Sequence, residues 1–167
     1  AMAAACRGYF RALKSDGTVA IFAATSTKIY LVDNSDFGWD DVSKGLTTYT
    51  ALPTVDQWQF AQFNNFVFAV QANTAPQVFT LGSSTEFADL GGSPPQAKYV
   101  TVTGRFLVLS GLTSSFTTIQ WSGLNATTTW TSGVTQSDSQ TLPDGGIVRG
   151  VAGGDQATGN GRRHSST

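Results

Sequence analysis

The sequence predicts an all-β protein whose strands are organised like the blades of a β-propeller. Short alternating or apolar runs are separated by Gly, Asn, Asp, Ser and Pro, which is typical of strands and turns. No stretch shows the period of an amphipathic helix. Matching residues recur about every 40 to 50 positions, a period found in propeller blades. A two-sheet β-sandwich is the alternative fold, because it uses the same short alternating strands.

Composition and charge narrow the functions that we expect. The chain has 167 residues, 40% of them hydrophobic and 13% charged, which suits one domain with a packed core. A net charge of -1 does not favour nucleic-acid binding through a basic surface. The single cysteine, Cys6, and the single histidine, His164, provide few ligands for a metal. We therefore expect no cofactor and no metal site.

The first predicted blade covers residues 8–45 and is a meander of four strands. Its second strand follows a turn at Ser15, Asp16 and Gly17, residue types that favour turns. The predicted strands of this blade are 9–13, 19–23, 28–32 and 39–42.

Two more blades repeat this plan over residues 56–92 and 97–133. Asn64 and Asn65 form the first turn of one blade, and Gly104 forms the first turn of the other. The second blade has predicted strands at 58–62, 66–70, 77–81 and 87–90. The third has predicted strands at 99–103, 106–110 and 118–121 and a short last strand around Trp130.

Corresponding residues of the three blades give the repeat its period. The first strands contain Tyr9, Trp58 and Tyr99, which are 49 and 41 positions apart. The last strands contain Trp39, Phe87 and Trp130, which are 48 and 43 positions apart. Since one sheet cannot bury both of its faces, neighbouring blades must pack on each other, and these aromatic residues are expected to be mainly packing residues.

A partial fourth blade is expected over residues 146–154, because 147–152 resembles another first strand. The propeller-like domain then spans residues 1–154. Residues 155–167 are polar and are predicted to form a disordered tail, and a functional basic tail at Arg162, Arg163 and His164 is the alternative. Three blades and a fraction leave apolar faces uncovered, which is typical of an interface or of a truncated chain.

The acidic residues Asp33, Asp36, Asp40 and Asp41 are the candidates for oxygen-based chemistry. They suit calcium binding or, as paired carboxylates, glycoside hydrolysis. Ordinary turn chemistry is the favoured interpretation, since adjacent strand residues such as Asp40 and Asp41 point to opposite faces. Because His164 lies in a polar segment near the C-terminus, a Ser-His-Asp site is not expected. We therefore expect no catalytic residues and no enzyme activity.

Three tryptophans are candidates for glycan binding. Exposed aromatic rings on a β-scaffold stack on sugar rings, so Trp39, Trp121 and Trp130 would suit a lectin-like propeller. Burial between blades is the favoured interpretation of these tryptophans. The lectin-like module stays open as an alternative function.

Three segments carry a family resemblance: 17–25 leading to Lys28-Ile29-Tyr30, then 56–63 with its Trp58-x-Phe60 motif, then 119–125 with Trp-Ser-Gly-Leu-Asn. They resemble a group of phage and prophage tail proteins, similar to the tail-tube nozzle proteins of short-tailed phages, also called tail tubular protein B. The resemblance spans about 9–154. Relatives would continue into further blades, whereas 156–167 is polar and basic, so we expect a truncated or frame-shifted version.

The resemblance implies a propeller-containing structural subunit that assembles into a ring around a DNA channel. Its partners would be other copies of itself or other tail proteins, with DNA only as cargo of the channel. The resemblance also implies a location in the virion. We expect the protein to be made in the bacterial host cytoplasm, because residues 1–6 lack the basic region of a signal peptide. No apolar run approaches the roughly 20 residues that cross a bilayer.

Overall fold

The computed structural model describes residues 2, 4–143 and 146–153. Among them, almost all regular structure is β-strand, arranged as three four-stranded antiparallel sheets. In each sheet the strands lie side by side in chain order. The prediction of an all-β fold made of consecutive four-stranded meanders is confirmed.

The strands are numbered β1 to β12 in chain order. The first sheet contains β1 (Gly8–Leu13), β2 (Val19–Ala24), β3 (Ile29–Val32) and β4 (Trp39–Asp41). The second contains β5 (Gln59–Phe63), β6 (Phe66–Gln71), β7 (Thr74–Thr80) and β8 (Ala88–Asp89). The third contains β9 (Ala97–Thr103), β10 (Phe106–Leu112), β11 (Ser115–Trp121) and β12 (Asp138–Thr141). A one-turn 3₁₀ helix, Lys44–Leu46, follows β4.

The predicted turns form for local reasons. The Asp16 carboxylate accepts hydrogen bonds from the backbone N–H and the hydroxyl of Thr18, at 2.8 and 2.6 Å, and so closes the turn between β1 and β2. Asn64 connects β5 to β6 with a φ of 54°, in the left-handed region that asparagine tolerates better than most residues.

The second sheet is buried on both faces. Along β6, Val67 and Ala69 point to the first sheet, whereas Phe68 and Val70 point to the third. All four side chains are at most 1% exposed. Two apolar layers result, and we call them the first layer, between the first and second sheets, and the second layer, between the second and third. A two-sheet sandwich does not describe this arrangement.

The first strands of neighbouring sheets lie next to each other. The Trp58 backbone N–H, just before β5, donates to the Arg7 carbonyl, just before β1, at 2.8 Å. The Phe10 and Phe60 rings stack with centroids 5.9 Å apart. On the other side of the second sheet, β5 contacts β9.

The prediction of the third sheet's last strand was wrong. The strand is β12, at Asp138–Thr141, whereas Trp130 lies in the preceding loop and is only 6% exposed in the second layer. Trp130 is buried by packing rather than by strand pairing, and its indole N–H donates to the Thr127 carbonyl at 3.0 Å. The anchor Trp39 lies in β4, but Phe87 and Trp58 stand immediately before β8 and β5.

The predicted first strand of a fourth blade at 147–152 is absent from described residues 146–153. Instead this segment crosses the third sheet. The Val148 N–H donates to the Phe116 carbonyl at 2.9 Å, and Gly153 lies against the Val102 carbonyl and the Thr101 hydroxyl. Ile147 is 53% exposed, so its side chain does not reach a core. Residue 154 and the predicted tail at 155–167 lie outside the described residues.

Candidate interaction surfaces

The first sheet has a second apolar face that points away from the second sheet. Phe22 of β2 is buried in the first layer, so its neighbours Ile21 and Ala23 lie on the opposite face. We call this opposite face the leading face. Its cross-strand pairs are Tyr9–Ala23, Leu13–Val19, Tyr30–Asp41 and Val32–Trp39.

The leading face is apolar and partly open to solvent. Tyr9 is 62% exposed and Leu13 is 53% exposed, whereas Phe22 on the inner face of the same sheet is fully buried. Lys28 forms an ion pair with Asp41 at one edge, and its ammonium also donates to the Leu46 carbonyl at 3.3 Å. The hydrogen bond to Asp41 raises the pKa of Lys28. The charges of this edge are therefore paired, and the middle of the face is left to apolar side chains and Arg11.

The third sheet has an equivalent outer face, which we call the trailing face. In β10, Leu107 and Leu109 point to the second sheet, so Val108 points outward beside its partner Trp121. Both outward side chains are half-buried. The Trp121 indole N–H donates to the Gln136 carbonyl at 2.9 Å, which holds the ring in place. Residues 146–153 cross part of this face.

A polar cleft of about 350 Å³ opens between the linker after β4 and the second sheet. Burial of Tyr49 raises its pKa to about 12, and its hydroxyl donates to the Gln77 amide oxygen at 3.3 Å. Hydrogen bonds from Lys44 and Gln77 lower the pKa of Asp89. Gln71 is 1% exposed and Gln77 is fully buried. The sequence contains no signal for this cleft, because the alternation of strand residues does not distinguish a buried glutamine from an exposed one.

Of the four acidic candidates, Asp33 and Asp36 act in turns and Asp41 forms an ion pair with Lys28, whereas Asp40 is exposed in β4. Asp33 and Asp36 accept backbone hydrogen bonds from the residues two positions later, each at 2.7 Å. Asp40 is opposite Leu31 and Asp41 is opposite Tyr30, so the two carboxylates lie on different faces, as predicted. Within the described part of the chain, no three acidic, histidine or cysteine residues form a group that could hold a metal.

The ionisation of these carboxylates does not favour the hydrolase alternative. A backbone hydrogen bond from Ser35 lowers the pKa of Asp33. Partial burial acts to raise the pKa of Asp41, but hydrogen bonds from Lys28 and Ser43 outweigh it and lower the value. A glycosidase acid requires the opposite, a raised pKa.

The structure does not bring the three candidate glycan-binding tryptophans together. Trp39 lies on the leading face of the first sheet, whereas Trp121 and Trp130 belong to the region of the third sheet. The second sheet stands between them. Trp130 is buried, as the packing interpretation predicts, and Trp39 and Trp121 are half-buried. No shared platform for a sugar is formed by these rings.

The remaining sequence candidates stay apart from these surfaces. Cys6 is exposed, and its thiol donates to the Gly8 carbonyl at 3.1 Å. His164, Arg162 and Arg163 lie outside the described residues. Among the described residues, no helix has the length and apolar character needed to cross a membrane.

Comparison of the chain with protein-family models, with curated proteins and with solved structures gives no match. The resemblance to phage tail proteins therefore stays a prediction. The leading and trailing faces provide the basis for a functional proposal.

Proposed function

We propose that this protein is a structural subunit of a phage or prophage tail, similar to the nozzle proteins of short-tailed phages, and that it acts through protein–protein assembly. We also propose that its three sheets are blades of a β-propeller. The observation that carries the proposal is the pair of outer sheet faces, leading and trailing, whose apolar side chains are only partly covered at the two ends of the stack.

The arrangement of the sheets supports the propeller interpretation. Each sheet is a consecutive meander, and neighbouring sheets pack face to face through an apolar layer. The first strands β1, β5 and β9 follow one another in space, as the inner strands of propeller blades do. A blade at the end of an incomplete set leaves one face without a neighbour, and the exposed side chains of Tyr9 and Leu13 fit that position.

The proposed role needs no catalysis, cofactor or sequence-specific contact with DNA. In support, three of the four carboxylates singled out from the sequence lie in turns or in an ion pair, and the net charge of the chain is -1. Its partners would be copies of itself or other tail proteins, and its location the virion after synthesis in the host cytoplasm.

The proposal is tested by quantitative mass spectrometry of phage-like particles, purified on a density gradient from cells that carry the gene. The expected result is that the chain sediments with the tail proteins at a constant stoichiometry. An abundant cytoplasmic protein of the same cells is the control for contamination. A chain found only in the soluble fraction would overturn the assignment to a tail.

The lectin-like alternative is tested by glycan-array binding. Specific binding that is lost in Trp39→Ala or Trp121→Ala would favour a glycan-binding module. A protein that binds no glycan but is present in particles would leave the structural proposal as it stands.

A further inference from the structure

One backbone hydrogen bond recurs where the pairing of the third and fourth strands ends in every sheet. In every sheet, the first residue after the paired part of the fourth strand donates its backbone N–H to a carbonyl of the third strand. The donors are Val42, Leu90 and Leu142, and the acceptors are the carbonyls of Ile29, Pro76 and Thr117, at 3.0, 2.8 and 3.0 Å. By strand register, Val42 and Leu90 occupy the same position of the repeat. The third sheet has Gln140 at that position, and Leu142 follows two residues later on the same face.

The exposed fractions of the Val42, Leu90 and Leu142 side chains differ. Val42 is 4% exposed in the first layer and Leu90 is 5% exposed in the second, each covered by the following sheet. Leu142 is 38% exposed. The third sheet thus presents an exposed leucine on its trailing side, two residues beyond the position that the next sheet covers in the other two repeats.

The same comparison applies to the two terminal faces. Val108 of the third sheet corresponds by hairpin register to Phe68 of the second, which is fully buried against the following sheet. At the other end, Ile21 is half-buried on the leading face, whereas Val67 and Leu107, which point to a preceding sheet, are at most 1% exposed. Apolar side chains at positions that face a neighbouring sheet inside the stack are therefore only partly covered at the leading and trailing faces.

We propose that the trailing face of one copy binds the leading face of a second copy, head to tail. This inference rests on the proposed function and specifies the contact through which the subunit assembles. Two such contacts join two copies into a closed ring of six sheets, since each copy supplies three. Six lies within the four to eight blades of closed propellers.

A second copy fits this surface better than residues 154–167 do. Residues 154–167 contain Ala157 as their single apolar residue, so they offer little to cover a hydrophobic sheet face. The described segment 146–153 lies over part of the trailing face, between Phe116 of β11 and Val102 of β9. It leaves Leu142 38% exposed.

The test is the absolute mass of the purified chain, measured by light scattering during size-exclusion chromatography over a wide concentration range. The wild type should give a discrete species of about 35 kDa, twice the 17.6 kDa of the chain. Tyr9→Glu disrupts the leading face and Leu142→Glu disrupts the trailing face, and each variant alone should be monomeric. Both side chains are substantially exposed, so both variants should fold, as checked by circular dichroism and thermal unfolding.

The decisive measurement is the mixture of the two variants. In a head-to-tail arrangement, the intact trailing face of Tyr9→Glu meets the intact leading face of Leu142→Glu, so a 1:1 mixture recovers an open dimer. Ser83→Glu, an equally charged change at an exposed turn of the second sheet, should keep the wild-type mass.

Three results would overturn the inference. The first is a wild type that is monomeric at all concentrations. The second is a Leu142→Glu variant that still dimerises, which indicates that two leading faces are in contact. The third is a mass that increases without limit as the concentration rises, which excludes a closed ring. Failure of the proposed function is recognised separately. A monomer found in particles would refute only the head-to-tail contact, and a head-to-tail dimer absent from particles would refute only the tail assignment.

Discussion

The two apolar layers have the same position in the repeat but different chemistry. The first layer is aromatic: Phe22, Phe79 and Phe87 form a mutual cluster with ring centroids 5.2 to 5.7 Å apart. The second layer is mainly aliphatic, with Leu107 and Leu109 of the third sheet packed beside Phe68 and Val70 of the second.

The polar contacts around the layers also differ. The long linker after β4 covers the rim of the first layer, where the Tyr49 and Trp58 rings meet edge to face at 5.1 Å and the Trp58 indole donates to the Thr25 carbonyl. The second layer is closed by the loop that carries Trp130 and by the ion pair between Lys98 and Asp56, 2.9 Å apart. Sheet packing in this protein is thus repeated in register and burial, not in residue identity.

The largest expected effect is at the centre of the aromatic layer. Phe22→Ala removes a fully buried ring and its edge-to-face contacts with Phe79 and Phe87, so we expect a loss of about 3 to 5 kcal/mol in the free energy of unfolding. Urea unfolding of the wild type and the variant measures this loss. Phe37→Ala, at a side chain that is 80% exposed, is the control and should change stability by less than about 0.5 kcal/mol. Equal losses in both variants would contradict the described core.

The aliphatic layer should be disrupted more locally. Leu109→Ala leaves a cavity at a fully buried position between the second and third sheets and should cost about 2 to 5 kcal/mol, in the lower part of that range if the layer relaxes. Hydrogen exchange should accelerate in the hairpin of β9 and β10 more than in the hairpin of β1 and β2. Equal acceleration in both hairpins would indicate that the two layers unfold as one unit and do not differ in local stability.

Two glycines with the same backbone conformation test how the second layer is closed. Gly82 and Gly92 both have a φ of 82°, but a Cβ at Gly82 meets open space, whereas a Cβ at Gly92 would lie 1.6 Å from the Thr128 carbonyl. Gly82→Ala should cost about 1 to 2 kcal/mol for its left-handed backbone alone. Gly92→Ala should cost clearly more, because the loop that carries Trp130 must shift. Chemical denaturation of both variants measures the difference, and similar losses would show that the loop does not depend on this close approach.

The sequence predicted the strands and turns that depend on residues close together in the chain. Alternation and turn residues placed the first sheet closely, because Asp16 and Gly17 form the first turn by local hydrogen bonding and backbone conformation. It missed β12, since all four residues of that strand are exposed and give no alternating pattern. It also missed the buried Gln77, whose burial depends on a linker from another sheet. The family resemblance supplied the proposed role, and the surfaces on which that role depends came from the structure.

The smallest expected effect is at the rim of the first layer and appears in alkaline solution. Burial raises the pKa of Tyr49 from 10.0 to about 12, so the unfolded chain loses the phenolic proton first as pH rises. The stabilisation is complete below pH 10 and decreases as pH rises towards 12. Tyr49→Phe should lack this decrease, so the stability difference between wild type and variant should shrink over that window in urea unfolding. The tyrosinate absorbance that is present in wild type and missing in Tyr49→Phe should titrate near 12. Titration near 10 would mean that the linker leaves Tyr49 in solvent and that the first layer has no polar cover at this rim.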